Sequence, residues 1–351
     1  MVVNIEEARH SHDRSASGAR PLRRLSTVGR SERTDKRVTI GIVNNMAGAA
    51  FKATERQFVS LLDTASKDIP IQVSFYMLPG LTRSETGGQH FASHYSNIDA
   101  LLQTQLDGLI VTGREPRMAN LRNEPYWDSF TQVLEWARGN TLSTVWSCLA
   151  AHAAVLQMDG IDRRKSSEKK FGIFECTQVT DHPLTRGLSR QFHVPHSRWN
   201  GIDEKDLHDH GYTVLSRIMN QDVDAFVKQD DSLFVFFQGH LEYGSDTLMR
   251  EYRRDVGRFI RGEADTYPLL PRSYFDNGTE AALTILRDQA IARRGPSLIS
   301  AVGIVMEASK FQNNWQSSAV NIYRNWLQFI CERKRESHRE LSGGEKISIA
   351  R

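Results

Sequence analysis

The chain has 351 residues, of which 25 % are charged, 39 % hydrophobic and 9 % aromatic, an ordinary globular composition with enough apolar content for one large core. Lys and Arg number 45 against 42 Asp and Glu, a net charge of only +3, which excludes a strongly basic nucleic-acid binder and an acidic disordered chain. No apolar run approaches the roughly 20 residues of a membrane helix, the N-terminus lacks a signal-peptide core, and Cys148, Cys176 and Cys331 are too few for a disulfide framework, so a soluble cytoplasmic protein is expected.

Residues 1–36 are rich in Ser, Arg, Gly and His without apolar period and predict a disordered leader, in which Leu22 to Ser26 has the form of a basic phosphorylation site. The β-branched run Val38–Val43 predicts a buried strand. Phe58, Leu61, Leu62 and Ala65 carry a helical period over 52–66, and Ile71–Met77 alternates as a strand. Leu106–Gly113 reads as a strand ending in a glycine turn, and 126–138 as a helix through Trp127, Phe130, Val133, Leu134 and Trp136. Ser143–Ser147 is a short strand and Leu149–Leu156 an Ala-rich helix. Such alternation predicts an α/β fold with a mostly parallel sheet.

Further on, Phe171–Val179 and Thr213–Ser216 are candidate strands, and Ala225–Lys228 with Leu233–Phe237 predict a hairpin. Residues 246–262 read as a helix, and Pro195–Arg198 as a polar loop. One domain is expected over 37–334, followed by a flexible tail at 335–351.

Cys148 falls where an apolar strand yields to a helix. Such an elbow exposes a nucleophile at the carboxyl edge of the sheet, and the helix N-terminus offers N–H groups to an oxyanion. A buried, inert thiol is the competing reading. Gln238-Gly239-His240-Leu241-Glu242 follows the apolar strand Leu233–Phe237, and α/β sheets gather their ligands at such strand ends. In an extended segment His240 and Glu242 point the same way, so Glu242 can orient the imidazole while His240 serves Cys148. A satisfied surface histidine is the alternative. Arg198 in Pro195-His196-Ser197-Arg198 can clamp a carboxylate. The helix segment Glu251-Tyr252-Arg253-Arg254-Asp255 can return an arginine to the site or remain a solvated face. Paired Cys or His spacing for zinc is missing. Leu341-Ser342-Gly343-Gly344-Glu345 matches an ATPase signature, but no phosphate loop accompanies it.

Together these segments resemble the homoserine O-acyltransferases of the succinyltransferase type, with the class I glutamine-amidotransferase-like fold, a flavodoxin-like three-layer sandwich. The landmarks are Thr54-Glu55-Arg56-Gln57-Phe58, Asp107 to Gly113, Tyr126-Trp127, Val133 to Trp136, Ser143 to Cys148, His182 to Gly187, Pro195 to Arg198, Gly239 to Tyr243, Arg254-Asp255-Val256 and Asn325-Trp326-Leu327. They span roughly 38–330. The resemblance implies a ping-pong acyltransferase in methionine or related amino-acid biosynthesis. Cys148 would be acylated, His240 would be its general base and Glu242 would orient His240. Arg254 and Arg198, with Ser197 beside them, would hold the amino-acid acceptor. The co-substrate would be an acyl-CoA, succinyl-CoA or acetyl-CoA, with no bound cofactor or metal and no nucleic-acid or membrane partner. A homodimer is implied.

Three departures from the family stand out. The family's Met-Pro-Lys-Lys is replaced by Met46 to Ala53 with two extra residues, which leaves Lys52 as the candidate substitute for a lysine near the oxyanion. Ala-Pro after Thr112-Gly113 becomes Arg114-Glu115-Pro116-Arg117, whose arginines, Arg117 among them, can pair with a succinyl carboxylate. Residues 277–313 are longer than the family pattern. The alternatives are an acyltransferase on serine or another hydroxy amino acid, a glutaminase or cysteine hydrolase, and a non-catalytic binding protein on the same fold. The flanks Trp146-Ser147-Cys148-Leu149-Ala150 lack the glycines of a glutaminase elbow.

Overall fold

The computed structural model describes residues 3–5, 37–79, 94–219 and 222–345. The leader and its Leu22–Ser26 match lie outside these, except β1 (Val3–Ile5), which pairs in parallel with β3 (Ile71–Tyr76). β2 (Val38–Val43), β5 (Gly108–Val111), β6 (Ser143–Ser147) and β11 (Leu233–Phe237) continue the parallel sheet in the order β3-β2-β5-β6-β11. β4 (Tyr95–Ser96) pairs with β3.

Beyond β11 the direction alternates. β10 (Val223–Gln229), β9 (Thr213–Ile218), β7 (Arg164–Gln178) and β8 (Gln191–Gly201) form an antiparallel extension. The predicted hairpin is β10–β11. The Pro195–Arg198 segment is not a loop: it lies inside β8, whose described pairing runs along β7 alone. Proline is tolerated there because an edge strand leaves one row of N–H groups unpaired.

Helices cover both faces. α1 (Ala49–Ser66) presents Phe58, Leu61, Leu62 and Ala65, the residues of the predicted period, to one face. The closing helix lies beside it with Tyr323, Trp326 and Leu327 buried. α2 (Ile98–Leu102), α3 (Trp127–Asn140) and α4 (Leu149–Asp159) cover the other face. α4 is apolar nearly all round, as a helix buried on several sides must be. Short α5 (Glu204–Asp209) follows β8.

A third cluster joins Phe171 and Ile173 of β7 to α6 (Thr247–Ile260), α7 (Asn277–Ala292), α8 (Ser297–Glu307) and Trp315. The long 277–313 segment is thus largely helical and packs into this cluster through Leu283, Ala290, Val302 and Met306. α9 (Gln316–Glu345) runs past residue 334, where a flexible tail is expected from composition, and Leu341–Glu345 is its last turn. None of the described helices is long and apolar enough to cross a membrane.

Candidate active site

Cys148 stands between β6 and α4 with φ 53° and ψ −114°, a conformation that L-residues rarely adopt. β6 and β11 are parallel neighbours with Ser147 opposite Phe237, and the Cys148 N–H donates to the Phe237 carbonyl at 2.7 Å. Both strands therefore end at the same point on the carboxyl edge. The next residues of one chain are Cys148 and α4, and those of the other are Gln238, Gly239 and His240. This shared end unites a thiol and an imidazole that are far apart in sequence.

His240 is mostly buried, and its Nδ1 meets Glu242 Oε1 at 2.8 Å. Its backbone N–H donates to the Pro195 carbonyl at 2.8 Å, docking the loop on β8. That approach needs Gly239, where a Cβ would sit 2.4 Å from Val194 Cγ1. Burial alone would lower the His240 pKa. The adjacent Cys148 and Glu242 charges, with hydrogen bonds to both side chains, overturn this and hold it well above the ordinary imidazole value. The arrangement can carry a thiolate–imidazolium pair oriented by a carboxylate, the logic of an activated nucleophile.

The Leu149 N–H lies in the first turn of α4, among the amides that have no partner within a helix. Gly113, just beyond β5, packs against it so closely that a Cβ there would be 2.6 Å from Leu149 N. The turn after β5 and the start of α4 thus form a backbone wall beside the thiol, suited to a tetrahedral oxyanion.

The remaining expected site residues divide. Ser197 donates to Glu251 Oε2 at 2.6 Å, and Tyr243 donates its hydroxyl to the other oxygen, Oε1. Glu251 was not singled out by the sequence reading, although it lies one helical turn before Arg254, a spacing that shares a face. Arg254 is about half exposed on α6, and its Nε donates to Asp255 at 2.8 Å. Lys52, exposed on the first turn of α1, and Arg117, exposed in the segment after β5, follow strands that end at the same sheet edge as the elbow. Arg114 lies over the Tyr126 ring, 5.6 Å from its centroid.

Arg198, expected to clamp the acceptor, lies within the sheet. It is buried in β8, with its guanidinium committed to the Asn200 and Val223 carbonyls, Asp222 Oδ2 at 3.3 Å and His196 Nδ1 at 3.3 Å. A strand rather than a loop carries it, so the side chain is directed into the sheet's own packing.

Cys176, His196 and Asp224 form a buried cluster whose ligand-type atoms lie within 4.8 Å of one another. Its chemistry does not suit a metal. Arg198 donates to His196 Nδ1, so the ring proton sits on Nε2, which faces Asp224 Oδ1 at 3.2 Å. No imidazole lone pair is left for an ion. Burial pushes the His196 pKa down to about 4, and burial with the neighbouring Asp224 keeps the proton on Cys176. His152, one turn after Cys148, is likewise buried and neutral, its pKa lowered to about 3 by burial. Cys331 is half-buried, far along α9, and burial raises its pKa.

The homoserine O-succinyltransferase family model matches residues 25–337. The protein named homoserine O-succinyltransferase in Rhodopseudomonas palustris is 45 % identical over 290 residues, 83 % of this chain and 87 % of that one. Its namesake in Bradyrhizobium japonicum is 42 % identical over 84 % of this chain and 90 % of its own. Among solved structures, a glutamine amidotransferase from Methylobacillus flagellatus aligns with TM-score 0.46 and 17 % identity over 84 % of this chain and 95 % of that chain. With the family model running over residues 25–337 and these two namesakes at 42–45 % identity along most of its length, the chain belongs to the homoserine O-succinyltransferase family.

Proposed function

We propose that the protein transfers the succinyl group of succinyl-CoA to the hydroxyl of L-homoserine, in methionine biosynthesis, through a thioester on Cys148. The observation that carries this reading is the Cys148–His240–Glu242 constellation in a chain of this family.

The Cys148 thiolate attacks the thioester carbonyl of succinyl-CoA. Negative charge collects on the carbonyl oxygen, beside the Leu149 amide and the turn at Gly113. Collapse breaks the C–S bond to CoA, and the departing thiolate takes the His240 proton. His240, now neutral, removes the proton of the homoserine hydroxyl as that oxygen attacks the acyl-enzyme. The C–S bond to Cys148 breaks and the thiolate–imidazolium pair returns. Glu242 keeps the ring oriented and stabilises its charged form. No bound cofactor enters this cycle.

An amino-acid acceptor carries a carboxylate and an ammonium. Arg254 suits the first and Glu251, on the same face one turn earlier, suits the second, with Ser197 steadying Glu251. Arg117 and Arg114 are the cations in the post-β5 segment for the succinyl carboxylate, and Lys52 is a further cation for the donor. The protein would work as a cytoplasmic homodimer, which light scattering checks.

Intact-mass spectrometry of the protein mixed with succinyl-CoA should show one added succinyl group on Cys148, discharged by L-homoserine. Absence of any adduct with succinyl-CoA and with acetyl-CoA would overturn the reading. Discharge by L-serine instead would reassign the acceptor.

A further inference from the structure

Tyr243 lies between two parts of the site that the reaction uses at different times. Its ring stacks on the His240 imidazole, centroids 4.2 Å apart and planes 18° apart. Its hydroxyl donates to Glu251 Oε1, while Ser197 holds Oε2 at 2.6 Å. Its carbonyl accepts from Trp315 Nε1 at 3.1 Å, so the start of α9 clamps the same residue from outside. The side chain is buried and contacts no reacting atom in the cycle above.

We propose that Tyr243 is a positioning residue that joins the two half-reactions, its ring fixing the plane of His240 and its hydroxyl fixing the carboxylate that receives the acceptor's ammonium.

Three physical points support this. Glu251 is a flexible side chain, and two donors on its two oxygens leave it one orientation, so its charge is presented without further ordering when an acceptor arrives. The stacked ring bars rotation of the imidazole about its bond to the chain, and an aromatic face beside the ring favours its charged form. Burial, together with Glu251 and Glu242, pushes the phenol pKa well up, so the hydroxyl remains a donor across the working pH range. The groups facing His240 from the surrounding elements are Cys148 at the elbow, Glu242 on its own loop, His196 on β8 and Tyr243.

The role of Glu251 rests on the function proposed above, so the test separates the two. Rapid-quench measurement of CoA release from succinyl-CoA reads the first half-reaction, and the dependence of turnover on homoserine reads the second. Y243F keeps the ring and loses the bond to Glu251. It should raise the homoserine KM about tenfold, while the CoA burst rate changes less than about twofold. Y243L loses the ring as well. Its burst should slow about tenfold, with the Y243F burst standing as the rescue. An unchanged homoserine KM in Y243F, or a wild-type burst rate in Y243L, would overturn the inference. If Y243L does not fold, judged by its melting curve, Y243F alone decides.

If the wild-type protein shows no burst with any donor, the proposed function fails instead. Tyr243 is then judged by iodoacetamide alkylation of Cys148, which needs no acyl substrate. Alkylation about tenfold slower in Y243L and restored in Y243F supports the inference, and equal rates in all three proteins overturn it.

Discussion

Cys148 occupies a left-handed backbone conformation because the strand before it and the helix after it leave no other path, and the bond to Phe237 holds it there. C148A should fold and yet form no acyl adduct, a mass measurement with a yes-or-no outcome. His240 depends on two charges that outweigh the effect of its burial. E242Q removes one of them, so the His240 midpoint, followed by NMR of its ring protons, should fall relative to wild type. Turnover should fall by about 10²-fold, since a misoriented base loses most of its contribution. The sign for stability follows from the same shift. A folded-state pKa above the unfolded one, about 6.5, means that the pairing stabilises fully below that pH. This stabilisation is lost as pH rises through the folded value.

At the scale of elements, the site is a junction of strand ends. The turn after β5 touches the first turn of α4 at Gly113, with no room for a methyl group. G113A must push the turn or the helix start away from the thiol, so kcat should drop by about 10²-fold while the melting temperature changes little. β8 contributes Pro195, whose carbonyl accepts the His240 N–H, and Arg198, which ties β8 to Asp222 and Val223 beside it. Arg198→Ala removes the buried cation that balances Asp224, leaves the Val223 and Asn200 carbonyls without their donor, and leaves Asp222 to Lys170 alone, at 2.9 Å. It should therefore cost about 3 kcal/mol in urea denaturation, a stability defect rather than the pure acceptor KM defect that a substrate clamp would give.

For the whole molecule, the sheet has an apolar layer on each face, and the elbow at Cys148 and the His240 turn stand at its carboxyl edge. Trp326 of α9 is buried against one face, and its Nε1 donates to Ser143 Oγ at 2.9 Å, directly under the strand that leads to Cys148. W326A should destabilise by about 3–5 kcal/mol, read from denaturant midpoints, with the surviving folded fraction still able to acylate Cys148. Lys334 of the same helix reaches Asp107 at 2.7 Å, so α9 is tied to the sheet beyond its apolar stretch.

Local pattern alone was enough for the alternation of strands and helices through residue 156, the β10–β11 hairpin and the elbow at Cys148. Each is written in neighbouring residues as apolar period, β-branching or a turn, and His240 and Glu242 were legible from their place just after an apolar strand, although the segment that carries them is a turn closed by the Tyr243 N–H on the His240 carbonyl rather than an extended one. What lay beyond the sequence was set by partners distant along the chain. Pro195 and the polar residues around it disguise an edge strand, so Arg198 reads as a free clamp until pairing with β7 buries it. Glu251 reads as one more helix-face charge until Ser197 and Tyr243 reach it. The meeting of Cys148 with His240 was decided by the parallel register of β6 and β11, because hydrogen bonding between strands, and not spacing along a chain, determines which strand ends share an edge.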